Sequence, residues 1–179
     1  MKQMQRAWKE ARRVLQEEDV ASAPVDVYRL ARKYAKVVDV AMDDGISGML
    51  IPLEQSKDSK RWVIAVNKAQ SMVRKRFTVA HELGHLRLHG FTSPHADRGF
   101  KVRFRLSRTS DGSVAEEIEA NQFAAELLMP TEVLMTRLSK LDVEYAPAGL
   151  DEDNLLKKLA LEFNVSQQAL SIRLSNLLV

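Results

Sequence analysis

The chain contains no cysteine. Disulfide staples are therefore excluded, and so is a thiolate metal site; any bound metal would have to be held by His, Asp or Glu. No uninterrupted apolar run approaches the ~20 residues of a membrane span, and the N-terminus lacks the apolar stretch of a signal peptide. The expectation is a cytoplasmic protein with no membrane partner. Charge of one sign is not in large excess either. A net charge of +3 is too small to argue nucleic-acid binding by itself. Internal repeats and low-complexity tracts are also missing.

What is present suits one globular domain with a substantial core and a small appended unit: 179 residues, 45% hydrophobic and 28% charged. All four histidines, His81, His85, His89 and His95, fall within one short stretch. Such clustering favours a site over ordinary surface use.

The stretch Phe77-Thr78-Val79-Ala80-His81-Glu82-Leu83-Gly84-His85-Leu86 carries the pattern H-E-x-x-H among apolar residues. On a helix, His81 and His85 lie one turn apart on one face, so both imidazoles can reach a single Zn²⁺ at about 2.0–2.1 Å. Glu82 between them suits a general base acting on water at the metal. A bland buried helix with two hydrogen-bonded histidines is the competing reading, and the histidine cluster weighs against it. His89 cannot join as third ligand: from His81 it is eight rises of about 1.5 Å, roughly 12 Å along a straight helix. It suits a supporting or substrate-side role, or a cation at the helix C-terminus. The metzincin pattern needs a histidine where this chain has Phe91, so that class is excluded.

The third ligand is then a carboxylate on another helix. Glu116, Glu117 and Glu119 precede the apolar stripe Ala120, Phe123, Ala124, Leu127 and Leu128. At 100° per residue Glu116 and Glu117 border the stripe, while Glu119 points well away. Periodicity does not separate the first two. Glu117 is preferred because Asn121, one turn on, could orient a ligand, with Glu116 left for a capping box with Ser113.

Around this centre the pattern reads as helices over 4–18 and 25–34, the latter opening at Pro24. Strands follow at 37–40, 46–53 and 61–67, with Gly48 at a bulge. The metal helix starts between Ala69 and Val73 and ends at His89, with Gly90 as C-cap. Arg74, Lys75 and Arg76 read as a solvated face. Later helices are 114–129, from Thr131 or Glu132 to Leu141, 152–163 and 166–178. Between them Phe100 to Arg108 alternates, placing Lys101, Arg103 and Arg105 on one face of a strand: a hairpin with a wet basic face, or an edge beside the cleft for an extended peptide. The class is α+β: a small, mostly antiparallel sheet of three to four strands packed on the H-E-x-x-H helix, followed by a helical C-terminal half. Residues 1–145 form the core and 146–179 an appended helical hairpin.

That hairpin has a helix-turn-helix look, with Gln167, Gln168, Ser171 and Arg173 available to DNA or a partner. With only one basic residue in the second helix, a buttressing role is preferred to DNA contact.

Segments 76–89 and 117–130, together with Ile46-Ser47-Gly48-Met49-Leu50 and Ile64-Ala65-Val66-Asn67, resemble the ImmA/IrrE family of bacterial metallopeptidases over about residues 24–178. The resemblance implies a zincin-like, gluzincin-type site: one catalytic Zn²⁺ on His81, His85 and Glu117, with Glu82 as base. It implies cleavage or inactivation of a helix-turn-helix repressor of the XRE type, in phage, mobile-element or toxin–antitoxin settings. Many relatives carry an N-terminal DNA-binding domain; this chain starts too near the core for one, so the repressor is expected to be separately encoded. His89 and His95 are candidates for stabilising the oxyanion. The alternative is a non-proteolytic DNA- or repressor-binding regulator with a structural zinc.

Overall fold

A computed structural model describes residues 2–53, 62–89, 95–97, 111–145 and 152–177. Among them the order is α1 (Lys2–Glu17), α2 (Val27–Tyr34), β1 (Lys36–Val40), β2 (Gly48–Pro52), β3 (Trp62–Asn67), α3 (Met72–Leu88), β4 (His95–Asp97), α4 (Asp111–Leu128), α5 (Thr131–Tyr145), α6 (Glu152–Phe163) and α7 (Gln167–Leu177). The segment holding Lys101, Arg103 and Arg105 lies outside the described residues, as does Gly90.

The fold is α+β. The four strands run in the order β1-β3-β2-β4. β1 pairs with β3 in parallel, whereas β2 is antiparallel to both β3 and β4. β2 and β3 turn the fully buried Leu50, Ile64 and Val66 to one face, and α3 packs there. α3 in turn lies against α4, and α4 against α1. One continuous apolar core runs from Ala7, Ala11 and Val14 of α1 through Val79, Ala80 and Leu83 of α3 to Phe123, Ala124 and Leu127 of α4. It extends into Leu159, Phe163 and Leu170 of α6 and α7. The metal-motif helix is thus enclosed by sheet and helices, which explains why it carries no clear polar stripe.

Several boundaries differ from the sequence reading. Ser71 caps α3, its Oγ accepting from the Arg74 N–H at 3.3 Å, and the C-cap is His89 in an extended conformation. α2 opens after Asp26, whose carboxylate takes the Arg29 N–H at 3.0 Å; Pro24 precedes the cap instead of occupying the first turn. α4 already includes Asp111, so Ser113 is inside the helix and not at its N-cap position. α5 continues to Tyr145. Gly48 is not at a bulge, since its pairing with Val66 and Asp97 runs in unbroken register. A glycine is required there by a close approach: a Cβ would stand 2.4 Å from the Thr78 methyl and 3.1 Å from Glu82 Oε1.

The triplet before the motif is not a solvated face. Lys75 and Arg76 are buried. Lys75 Nζ binds Asp39 of β1 at 2.7 Å, and Arg76 donates to the carbonyls of Val25 at 2.8 Å and Asn164 at 3.2 Å. Burial holds the Arg76 guanidinium below its usual pKa. These cations staple α3 to the sheet, to the entry of α2 and to the turn between α6 and α7.

A candidate metal centre between α3 and α4

His81, Glu82 and His85 are all buried in α3, because the turn that carries them is the one sandwiched between sheet and α4. The i, i+4 spacing brings the two imidazoles edge to face, with Nε2 to Nε2 at 3.0 Å. Glu117, on α4, completes the group. Its carboxylate oxygens lie 2.9 Å from His85 Nε2 and 3.4 Å from His81 Nε2. The Glu116 backbone carbonyl accepts from His89 Nε2–H at 3.2 Å.

These separations suit a small tetrahedral ion. Ligand atoms about 2.0–2.1 Å from such an ion stand about 3.3 Å from one another. The two nitrogens stand 3.0 Å apart, and the two oxygens of Glu117 lie 2.9 Å from one and 3.4 Å from the other, all close to that value. The donor chemistry agrees. Asn121 Oδ1 sits 3.1 Å from His81 Nδ1, and an amide oxygen accepts only if Nδ1 carries the hydrogen. The lone pair of His81 is then on Nε2, facing His85 and Glu117. Two imidazole nitrogens and a carboxylate, with one imidazole oriented from behind by an amide, form a ligand set that could hold a divalent metal.

The helices approach closely enough for this because Gly84 has no side chain. A Cβ there would lie 3.0 Å from the Phe123 ring and 3.2 Å from both Cα and O of Ala120. Sequence reading passed over Gly84; its position on the apolar side of the motif, one residue before a ligand, was the available signal. Glu82 is fully buried, with its Oε1 beside Gly48 of β2.

The other candidates are placed as follows. His89 packs its ring on His85 at 5.5 Å and has Glu119 Oε2 at 3.8 Å. Burial pushes its pKa below the ordinary histidine value, with the Glu116 and Glu119 charges acting against that shift. It is a linker between the end of α3 and α4 and not a cation at a solvent-exposed helix end. Glu119 does not point away into water. It is buried and ion-paired with Arg6 at 3.2 Å, because α1 covers that side of α4. His95 falls on the edge strand β4, in register with Leu50. Gln167 and Gln168 are exposed on α7, whereas Arg173 is not available to DNA or a partner: its side chain is fully buried against Glu126. Burial lowers its pKa, with the Glu126 carboxylate opposing the shift.

Residues 46–175 match the Peptidase_M78 family model, described as the IrrE N-terminal-like domain. The chain belongs to this family. It is a metallopeptidase family, and the matched segment contains β2, both ligand-bearing helices and all three donor residues. The chain is also similar to an uncharacterized immunity region protein of Bacillus phage phi105, with 36% identity over 73 residues. That similarity covers 41% of this chain and spans about two fifths of the phage protein, 41% of its length. Among the described residues no helix is long and apolar enough to cross a membrane.

Proposed function

We propose that the protein is a zinc-dependent endopeptidase whose substrate is a specific regulatory protein, a helix-turn-helix repressor. The observation that carries the zinc reading is the convergence of His81 Nε2, His85 Nε2 and the Glu117 carboxylate, one oxygen of which lies 2.9 Å from His85 Nε2 and the other 3.4 Å from His81 Nε2. Zinc held there supplies a Lewis acid that acidifies water and polarises a peptide carbonyl. Glu82, next to His81 in the motif, takes a proton on its carboxylate and returns it to the leaving amine. Asn121 keeps the hydrogen of His81 on Nδ1, so that Nε2 stays a ligand. The family membership supports peptidase chemistry, and the phage immunity setting of a relative supports a regulatory substrate. Among the described residues β4 is the last strand of the sheet and pairs with β2, which supports an extended peptide as the bound form. The rival reading, a DNA-binding regulator with structural zinc, loses its one basic contact on the recognition-like helix to the burial of Arg173.

The test is co-expression with the neighbouring repressor, wild type against Glu82→Gln, with mass spectrometry of the repressor and zinc measured in both proteins. General-base loss reduces cleavage by about 10²–10⁴-fold. A cut repressor with wild type, an intact one with the variant, and equal zinc in both is the expected result. Retained zinc together with full cleavage by Glu82→Gln would refute the role given to Glu82.

A further inference from the structure

The three donor atoms come from two helices, so the site is only as well defined as the spacing between α3 and α4. Gly84 sets how close they approach in the middle of the contact. At the C-terminal end of α3 a different device operates. The last carbonyls of a helix have no partner within the helix. The Leu88 carbonyl is taken by Arg6 Nη2, and Nη1 of the same guanidinium binds Glu119 Oε2 at 3.2 Å. Glu119 is two residues beyond Glu117 on α4. One side chain of α1 therefore holds the end of the histidine helix and the helix of the carboxylate ligand together.

Its neighbours continue the same seam. Trp8 Nε1–H donates to Gln122 at 3.2 Å and Arg12 Nε–H to Glu126 at 2.8 Å, both on α4. Arg87 on α3 reaches back to Glu10 of α1 at 2.8 Å. α1 thus bridges both ligand helices, although it lies outside residues 46–175, the part matched by the family.

We propose that Arg6 is a positioning residue for the metal site: its two-pronged contact with the Leu88 carbonyl and the Glu119 carboxylate fixes the separation of the helices bearing His81, His85 and Glu117. The proposal rests on the zinc reading of that site. The fork is the relevant property. A guanidinium presents two N–H groups in fixed geometry, whereas an ammonium holds one partner well and the other poorly. The Arg6 side chain is half exposed while Glu119 is buried, so its removal leaves most of the apolar core intact and releases chiefly the alignment.

The experiment measures zinc affinity of the full chain by competition with a chromophoric chelator, with circular dichroism and metal-free thermal unfolding run alongside. The variants are Arg6→Ala, Arg6→Lys and the control Arg13→Ala, since among the described residues the ion pairs of Arg13 are with Glu10 and Glu17, within α1 itself. Loss of groups that support ligands typically weakens metal affinity by about 10–100-fold. Arg6→Ala is expected at about tenfold weaker on a folded protein, Arg6→Lys in between, and Arg13→Ala within about twofold of wild type. Arg6→Ala that folds and binds zinc as tightly as wild type overturns the proposal, whatever its melting temperature. If Arg6→Ala does not fold, Arg6→Lys decides: weaker zinc binding supports the proposal and unchanged binding overturns it. A wild-type chain that takes up no zinc overturns the metal reading first, and this inference with it.

Discussion

Glu117 and Glu126, two of the three glutamates that helix α4 buries, stand about two and a half turns apart, and their surroundings differ in kind. Glu126 is surrounded by hydrogen donors. Arg12 Nε–H reaches one oxygen at 2.8 Å, the Thr131 hydroxyl reaches the other at 2.8 Å, and the Arg173 guanidinium closes on it from α7. Its charge is answered twice over by cations. Glu117 faces the Nε2 atoms of two imidazoles, one of which presents a lone pair because Asn121 holds the hydrogen of that ring on Nδ1. A divalent cation held there would replace whatever hydrogens those nitrogens carry. A buried carboxylate is therefore not a site by virtue of burial. What distinguishes the two is the chemistry of the partners: guanidinium groups and a hydroxyl around Glu126, imidazole nitrogens that can ligate a metal around Glu117.

The comparison breaks most visibly at Arg173. Removing one member of a buried ion pair costs about 3–5 kcal/mol, because the partner is left charged in a poor solvent. Arg173→Ala should lower the urea midpoint accordingly, whereas the zinc affinity of the folded fraction stays within a few-fold of wild type. Glu117→Gln should do the reverse. It should leave metal-free stability within about 1 kcal/mol and weaken zinc binding on the order of a hundredfold or more. Chemical denaturation and chelator competition on both variants test the pair together. Equal effects on both properties in both variants would erase the distinction between knot and site.

A smaller effect is expected at Gly84. Alanine adds about 1 kcal/mol of intrinsic helix preference but forces a methyl to 3.0–3.2 Å from Phe123 and Ala120. Overpacking of this kind costs about 1–3 kcal/mol, so Gly84→Ala should come out about 1 kcal/mol less stable. Because Ala120 is one turn from Glu117, zinc binding should weaken several-fold as α4 shifts outward. Chelator competition and a urea melt measure both. A variant with unchanged affinity would mean that the helix spacing is set elsewhere.

How much of this was legible before the coordinates follows from the range of each interaction. His81, Glu82 and His85 are related by helical geometry alone, and four residues suffice to read it. Glu117 was narrowed to two neighbours by the period of α4 and separated by Asn121, again one turn away. Glu119 was misjudged because its burial depends on α1, more than a hundred residues earlier in the chain, and a helical wheel has no knowledge of a helix that docks on its polar side. Lys75 and Arg76 failed for the same reason: their partners Asp39, Val25 and Asn164 are distant in sequence. Gly48 was correctly singled out but given the wrong cause. A glycine in a strand signals either a bulge or a close approach, and only the position of Thr78 decides between them. Arg173 reads from sequence as a possible DNA or partner contact because the partner that buries it, Glu126, lies 47 residues earlier in the chain.

The opposite side of α7 from Arg173 is exposed. Gln167, Gln168 and Ser171 face solvent, and Ser166 Oγ caps the helix by accepting the Ala169 N–H at 3.1 Å. The hairpin turn is made by Asn164 at φ 52°, a conformation that asparagine tolerates. Neither glutamine contributes to the core, so replacing both with alanine should change stability by no more than about 0.5 kcal/mol. Zinc uptake should be unaffected, because the ties from this hairpin to α3 and α4 run through the Asn164 carbonyl and Arg173, not through the glutamines. With Arg173 unavailable for phosphate contact, a gel shift on the protein's own upstream DNA should show no binding by wild type even at low salt. Salt-sensitive, sequence-specific binding that the double variant abolishes would overturn the buttress assignment and give this surface a reading role that its buried arginine argues against.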